Sequence, residues 1–191
     1  MVELARSELI LGGQKSGKSR RAELLARDWL MASPAHRAVL VATGQAWDDE
    51  MRERIARHQA YRAQRVPGMA TVEEPVALAD ALRDASDAQT LVVVDCLTLW
   101  LTNLMMPAQP AQARDAAGVT AAVDGLCAVI VAAPGPVVLV GNEIGLGVIP
   151  MGREVRAFVD ALGRLNQQVA AACERVTLMA AGLPLTLKGH S

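Results

Sequence analysis

The sequence predicts an α/β fold, a mainly parallel sheet with helices on both faces. Three observations predict it. Short, nearly continuous apolar runs alternate with longer amphipathic ones, the pattern of strands buried between crossover helices. The first run, Leu9 to Gly13, leads straight into a glycine-rich loop, GGQKSGKS at residues 12–19. Hydrophobic residues make up 52% of the 191-residue chain but aromatics only 3%, so the core must be aliphatic.

Each element follows from its local pattern. Leu9–Gly13 reads as a buried strand entering the loop. Residues 19–33 follow as a helix whose apolar face is Ala22, Leu25, Ala26, Trp29 and Leu30, spaced by three and four. AVLVAT at 38–43 is a second buried strand. Residues 48–62 favour a helix and open with Asp48, Asp49 and Glu50, which suits a helix N-terminus. MATVEEP at 69–75 is a weaker strand stopped by Pro75, and 76–85 is a helix. TLVVVD at 90–95 is a fully buried strand, and CLTLWLTNLMM at 96–106 an apolar helix. The Pro/Ala-rich stretch 107–118 is a surface excursion within one domain spanning 1–191. An Ala/Val-rich helix then runs to Pro134, PVVLVGN at 136–142 is a strand, and EIGLGVIPMG at 143–152 is a glycine-bearing loop. A long helix from Arg153 to Cys173 and two short strands joined near Gly182 complete the chain. There is no internal repeat.

Composition narrows the function. Formal net charge is -1, which argues against a nucleic-acid or anionic-membrane binder. Cys96, Cys127 and Cys173 are far apart with no paired spacing, so neither a disulfide framework nor a metal knuckle is expected. A reducing cytoplasm fits that usage. The N-terminal stretch lacks the pattern of a signal peptide, and no run reaches the ~18 apolar residues of a membrane span.

Gly12-x-x-x-x-Gly17-Lys18-Ser19 is a complete phosphate-loop pattern. Backbone N–H groups of Gly12, Gly13, Gln14, Lys15, Ser16 and Gly17 can wrap phosphate oxygens, helped by the positive end of the following helix. Lys18 reaches the β- and γ-phosphates, and Ser19 offers its hydroxyl to Mg²⁺. A chance match in a tight turn is the competing reading, and the strand before and helix after oppose it. Asp95, ending a buried strand, suits the Mg²⁺ shell; the bland alternative is an N-cap.

Ligands of open parallel sheets bind beyond the carboxyl ends of the strands. That rule selects Thr43, Gly44, Gln45, Glu73, Asp95, Asn142 and Glu143 as a rim around the loop. The Glu73 carboxylate could accept the N1–H and N2–H₂ of a guanine, favouring GTP over ATP. Any one of these residues could equally be a cap or turn.

His58 is flanked by Arg54 and Arg62 at four-residue spacing, on one face of a helix. Residues 48–62 hold four arginines and four acids, which also fits a merely solvated face. A neutral imidazole can instead attack phosphorus, with the arginines stabilising the charged oxygens. From the residues alone both readings stand.

Together these stretches resemble the bifunctional adenosylcobinamide kinase / adenosylcobinamide-phosphate guanylyltransferases of cobalamin biosynthesis. The matching pieces are GGQKSGKS, VATGQAWDDEMRERIARHQAYR with its R-I-x-x-H-x-x-x-R core, TVEEP, VVVDCLTLWLTNLM, GNEIGLGVIP and REVRAFVDALGRLNQQVA. The resemblance implies two reactions at one site. In one, ATP or GTP phosphorylates adenosylcobinamide. In the other, His58 attacks the α-phosphorus of GTP, and adenosylcobinamide phosphate then takes the GMP. It implies GTP contacts at residues 12–19, at Thr43 to Gln45, at Gln59, Ala60, Tyr61 and Arg62, at Glu73 and at Asp95. It also implies a RecA-like fold and a homotrimer. Two departures stand out. Lys15 sits where many relatives carry arginine, and Val159 lies in RAFVD where a relative may have RHFRD. The competing functions are a simple phosphate-loop kinase of another small alcohol and a nucleotide-gated binding module.

Overall fold

The unbroken aliphatic runs become the middle of one seven-stranded sheet, because a strand covered on both faces needs no polar alternation. The structure is a computed structural model describing residues 4–46 and 48–189, the side chain of Arg54 excepted. In chain order the elements are β1 (Ser7–Gly12), α1 (Lys18–Ala32), β2 (Arg37–Ala42), α2 (Asp49–Arg65), β3 (Ala70–Glu73), α3 (Leu78–Ala85), β4 (Thr90–Asp95), α4 (Leu97–Met105), α5 (Ala116–Ala132), β5 (Val137–Asn142), α6 (Arg153–Ala172), β6 (Arg175–Ala180) and β7 (Leu183–Lys188).

The strand order is β3-β2-β4-β5-β1-β6-β7. All neighbours pair in parallel except β6 and β7, which form an antiparallel hairpin turning at Ala181 and Gly182, both at positive φ. This is the three-layer, RecA-like arrangement that the resemblance implies. One core layer holds Trp100, Leu104, Leu126, Ile130, Leu162 and Leu165 beneath α3 to α6. The other holds Ile10, Leu25, Ala26, Leu91 and Val138 beneath α1. Each fully buried leucine contributes about 2 kcal/mol.

Two helix boundaries lie three residues from expectation. α2 runs on to Arg65, since nothing breaks it before Val66-Pro67-Gly68. Its N-cap is Asp48, whose carboxylate accepts the Met51 N–H at 2.7 Å. α5 takes the last residues of the predicted 107–118 loop, because Asp115 caps it by accepting the Gly118 N–H at 2.8 Å. The rest of that loop holds a short 3-10 turn, Pro110–Gln112. At the far end, the Lys188 ammonium donates to the Ala170, Ala171 and Cys173 carbonyls and closes the C-terminus of α6.

All three cysteines are free thiols. Among the described residues no helix is long and apolar enough to cross a membrane. The order of the central strands decides where the polar loops gather. β5 lies between β1 and β4, so the phosphate loop, Asn142–Glu143 and Asp95 leave the sheet side by side.

Candidate active site

The phosphate loop is shaped by residues that tolerate its backbone. Gly12 has φ +153°, and a Cβ there would meet the Met179 carbonyl oxygen at 2.5 Å and Ser16 Oγ at 2.6 Å. Gly17, at φ +101°, starts α1 with a left-handed turn. Lys15 also sits in the left-handed region, at φ 56°. The loop is braced from two sides. The Gly182 N–H donates to the Ser16 carbonyl at 3.1 Å, and the Glu143 N–H donates to the Gly12 carbonyl at 3.1 Å. Buried Lys18 donates from Nζ to the Gly13 carbonyl at 2.6 Å, so its ammonium lies in the loop's concavity. Gly13, Gln14 and Lys15 are exposed at the mouth.

Asp95 is not the cap of α4: the N-cap is Cys96, with no side-chain cap bond. Its carboxylate instead accepts a hydrogen bond from the Ser19 hydroxyl. Desolvation raises its pKa above the ordinary value. The Ser19 bond, His58 and Lys18 pull it back down, while Glu23 pushes it up. The two residues expected to hold Mg²⁺ therefore touch, and the exposed imidazole of His58 on α2 is near enough to act on the same carboxylate.

The rim divides into residues that line an open hollow and residues that hold the others. A hollow of about 380 Å³ is lined by Gln59, Arg62, Ala63, Val66, Met69, Thr71 and Glu73. Of the four residues after His58, it gathers Gln59 and Arg62 with Glu73; Ala60 and Tyr61 lie elsewhere on α2. Arg62 donates to Thr71 Oγ1 at 3.3 Å. Tyr61 lies under the Arg65 guanidinium, 5.3 Å from the ring centre, and Arg65 pairs with Glu23 at 2.8 Å, fastening α2 to α1. Gly44 lies beneath Leu99 and Ile55, and a Cβ there would meet them at 3.4 and 3.8 Å.

Thr43 differs from a ligand-facing reading. It is fully buried, and its hydroxyl donates to the Cys96 carbonyl (2.7 Å) and accepts the Cys96 N–H (2.9 Å). Its backbone N–H donates to the Asp95 carbonyl. Thr43 therefore positions the end of β4 and has no side-chain atom left for a nucleotide. Glu143 also turns inward on its own loop, accepting the Gly145 N–H at 2.8 Å. The Asn142 N–H donates to Thr98 Oγ1, and the Asn142 carbonyl accepts from Asn166. Arg54 falls outside what the structure describes of side chains.

Sequence reasoning missed the struts. Asn103, buried in α4, donates from Nδ2 to the Thr43 carbonyl (2.8 Å) and the Pro75 carbonyl (3.0 Å), joining the ends of β2 and β3. Trp100 Nε1 donates to the Val76 carbonyl beside it. A lone amide inside the apolar CLTLWLTNLMM run was the available signal, since buried amides are there to be bonded.

Comparison with known proteins agrees with this arrangement. The model of the family described as "Cobinamide kinase / cobinamide phosphate guanyltransferase" matches residues 8–187. The chain is 46% identical over 183 residues to the bifunctional adenosylcobalamin biosynthesis protein CobP of Pseudomonas aeruginosa, covering 96% of this chain and 98% of that one. It is 35% identical to the bifunctional adenosylcobalamin biosynthesis protein CobU of Escherichia coli, covering 94% and 98%. Among solved structures it resembles the flagellar accessory protein FlaH from Methanocaldococcus jannaschii. That match has a TM-score of 0.52 at 10% identity, over 98% of this chain and 80% of that one, a likeness of fold alone.

Proposed function

Since the chain belongs to the cobinamide kinase / cobinamide phosphate guanyltransferase family, we propose that it carries out both reactions at the one rim around the phosphate loop, assembled as a homotrimer. It phosphorylates adenosylcobinamide with ATP or GTP, then transfers GMP from GTP to the resulting phosphate through a guanylyl-histidine at His58. The carrying observation is a complete phosphate loop, with the Lys18 ammonium held at the Gly13 carbonyl, at the sheet edge where Asp95 also emerges, with His58 exposed on α2.

In the kinase step the acceptor hydroxyl attacks the γ-phosphorus and the nucleoside diphosphate leaves. The loop amides and Lys18 hold the phosphate oxygens throughout. In the second step an imidazole nitrogen of His58 attacks the α-phosphorus, a P–N bond forms and pyrophosphate leaves. An oxygen of the cobinamide phosphate then attacks that phosphorus, the P–N bond breaks, and adenosylcobinamide-GDP is released with His58 restored. Glu73, with Gln59 and Arg62 beside it, supports recognition of the guanine.

The Ser19–Asp95 pair fits Mg²⁺: both offer hard oxygens, and the burial that raises the Asp95 pKa is a penalty a cation would offset. When bound, the ion neutralises charge on the β- and γ-phosphates. Ser19 and Asp95 are the residues that would hold it.

The test is self-labelling. The purified protein is incubated with Mg²⁺ and GTP labelled at the α-phosphate, then denatured. Label that is stable in alkali, lost in acid and absent from His58→Ala is expected. Unlabelled wild type that still binds GTP would leave a kinase only.

A further inference from the structure

Two adjoining hollows lie along α6, apart from the one that gathers Glu73 and Arg62. The first, of about 480 Å³, is framed by the 144–150 loop. The second, of about 690 Å³, lies against α5 and Arg114. Asp160, Arg164 and Gln167 line both, so they are two halves of one groove.

The loop that frames the first hollow is rooted beside the phosphate loop. It leaves the end of β5, which lies between the phosphate-loop strand and the Asp95 strand. The Glu143 N–H bond to the Gly12 carbonyl ties the root of that loop to the phosphate loop itself. The near wall is apolar and uncovered: Val148 is 96% exposed and Ile149 78%. Arg156 donates to the Pro150 carbonyl at 3.0 Å and also to that of Met151, so the loop is tethered while its side chains face water. Solvated aliphatic side chains held together in this way form a surface that a partner covers. Further along, the lining turns polar. Gln168 is engaged by Asp124 at 3.2 Å, while Asp160, Arg164 and Gln167 are exposed.

We infer that this groove seats the corrin macrocycle of the acceptor. The inference rests on the two-step function proposed for the rim. An acceptor hydroxyl must come in line with the γ-phosphorus, so the macrocycle bearing it lies against the surface beside the phosphate loop. A corrin ring has apolar faces and methylated edges with a fringe of neutral carboxamides. The 144–150 loop matches the first. The second is matched by a carboxylate that accepts amide N–H, a guanidinium that donates to amide C=O, and a glutamine that does both. Val159 adds an aliphatic side chain to the wall of the first hollow, among the charged Arg156, Asp160 and Arg164. A second copy of this chain is the competing occupant.

The test uses the full chain, the double variant Asp160→Ala/Gln167→Ala and, separately, Val148→Ser. Each is assayed for adenosylcobinamide phosphorylation, for His58 self-labelling by GTP, and for mass by light scattering. The expected result is a KM for adenosylcobinamide raised about tenfold or more, with self-labelling within about twofold of wild type. An unchanged KM overturns the inference, whether or not the mass changes. If a variant loses self-labelling as well, wild-type hydrogen exchange decides. Slower exchange in residues 143–152 on adding adenosylcobinamide supports the groove. No change, or a loop already protected without the corrinoid, overturns it. Absence of self-labelling from wild type would instead sink the guanylyl-transfer reading and leave the KM test of the groove standing.

Discussion

Asn103→Leu removes the amide that joins two strand ends and replaces it with a side chain of similar size. Asn103 is 5% exposed, and its Nδ2 serves the Thr43 carbonyl at 2.8 Å and the Pro75 carbonyl at 3.0 Å. Leucine fills the space and leaves the buried Thr43 carbonyl and the part-buried Pro75 carbonyl without that donor. Each orphaned group costs about 1–3 kcal/mol, so the variant should lose about 2–6 kcal/mol. For a chain of this size a urea m-value of about 2 kcal/mol/M turns that into a midpoint lowered by about 1–3 M. There is a second consequence. Thr43 holds the end of β4, and Pro75 follows Glu73, so the strut keeps the guanine side and the phosphate side in register. The KM for GTP should rise while label on His58 at saturating GTP persists. Urea unfolding followed by circular dichroism and self-labelling against GTP concentration measure the two. A midpoint within about 0.3 M of wild type together with an unchanged KM would refute the reasoning.

Three further outcomes are expected. Glu73→Gln turns a donor toward the N–H edge of guanine and should weaken GTP binding by about 10- to 100-fold in calorimetry, leaving ATP unaffected; equal loss for both nucleotides would deny Glu73 its role. Asp95→Asn should abolish both reactions yet raise the melting temperature of the nucleotide-free protein at pH 7–8 in chelator. Burial raises the native carboxyl's pKa, so folding disfavours its charged form; the stability tied to the proton is present at low pH and lost as pH rises through the folded pKa. The variant's advantage should therefore shrink as pH falls, and a gain that grows on acidification would show the opposite shift. Gly12→Ala places a Cβ 2.5 Å from the Met179 carbonyl oxygen at a φ that side chains avoid; it should cost above about 1 kcal/mol in thermal unfolding and eliminate GTP binding.

The fold was legible where burial is two-sided. The runs VVLVG and LVVVD are central strands because nothing polar interrupts them. β3 read as weaker because it is an exposed edge, and β7 carries Leu183, Leu185 and Leu187 into solvent for the same reason. The phosphate loop was legible because its partners lie within eight consecutive residues. The direction of Thr43 was not, because its hydroxyl is claimed by Cys96, 53 positions on. Asp160, Arg164 and Gln167 looked like any solvated helix face, and only the packing of α6 against α5 and the 144–150 loop sets them along one groove. The bracing of the phosphate loop by Glu143 and Gly182 likewise has no local signature.

That last brace bears on how the protein is made. The loop that grips phosphate is translated long before Gly182, in the β6–β7 hairpin that supports it, and the strand beneath it is locked by Thr177, which donates to the Glu8 carboxylate 169 positions earlier. β1 has a neighbour on each side only after β5 and then β6 have emerged. A nascent chain still on the ribosome therefore holds its nucleotide-binding residues in an unfinished shape. Competence to bind nucleotide should appear only once the hairpin has emerged, so that chains stalled before it neither sequester GTP nor start a transfer they cannot complete.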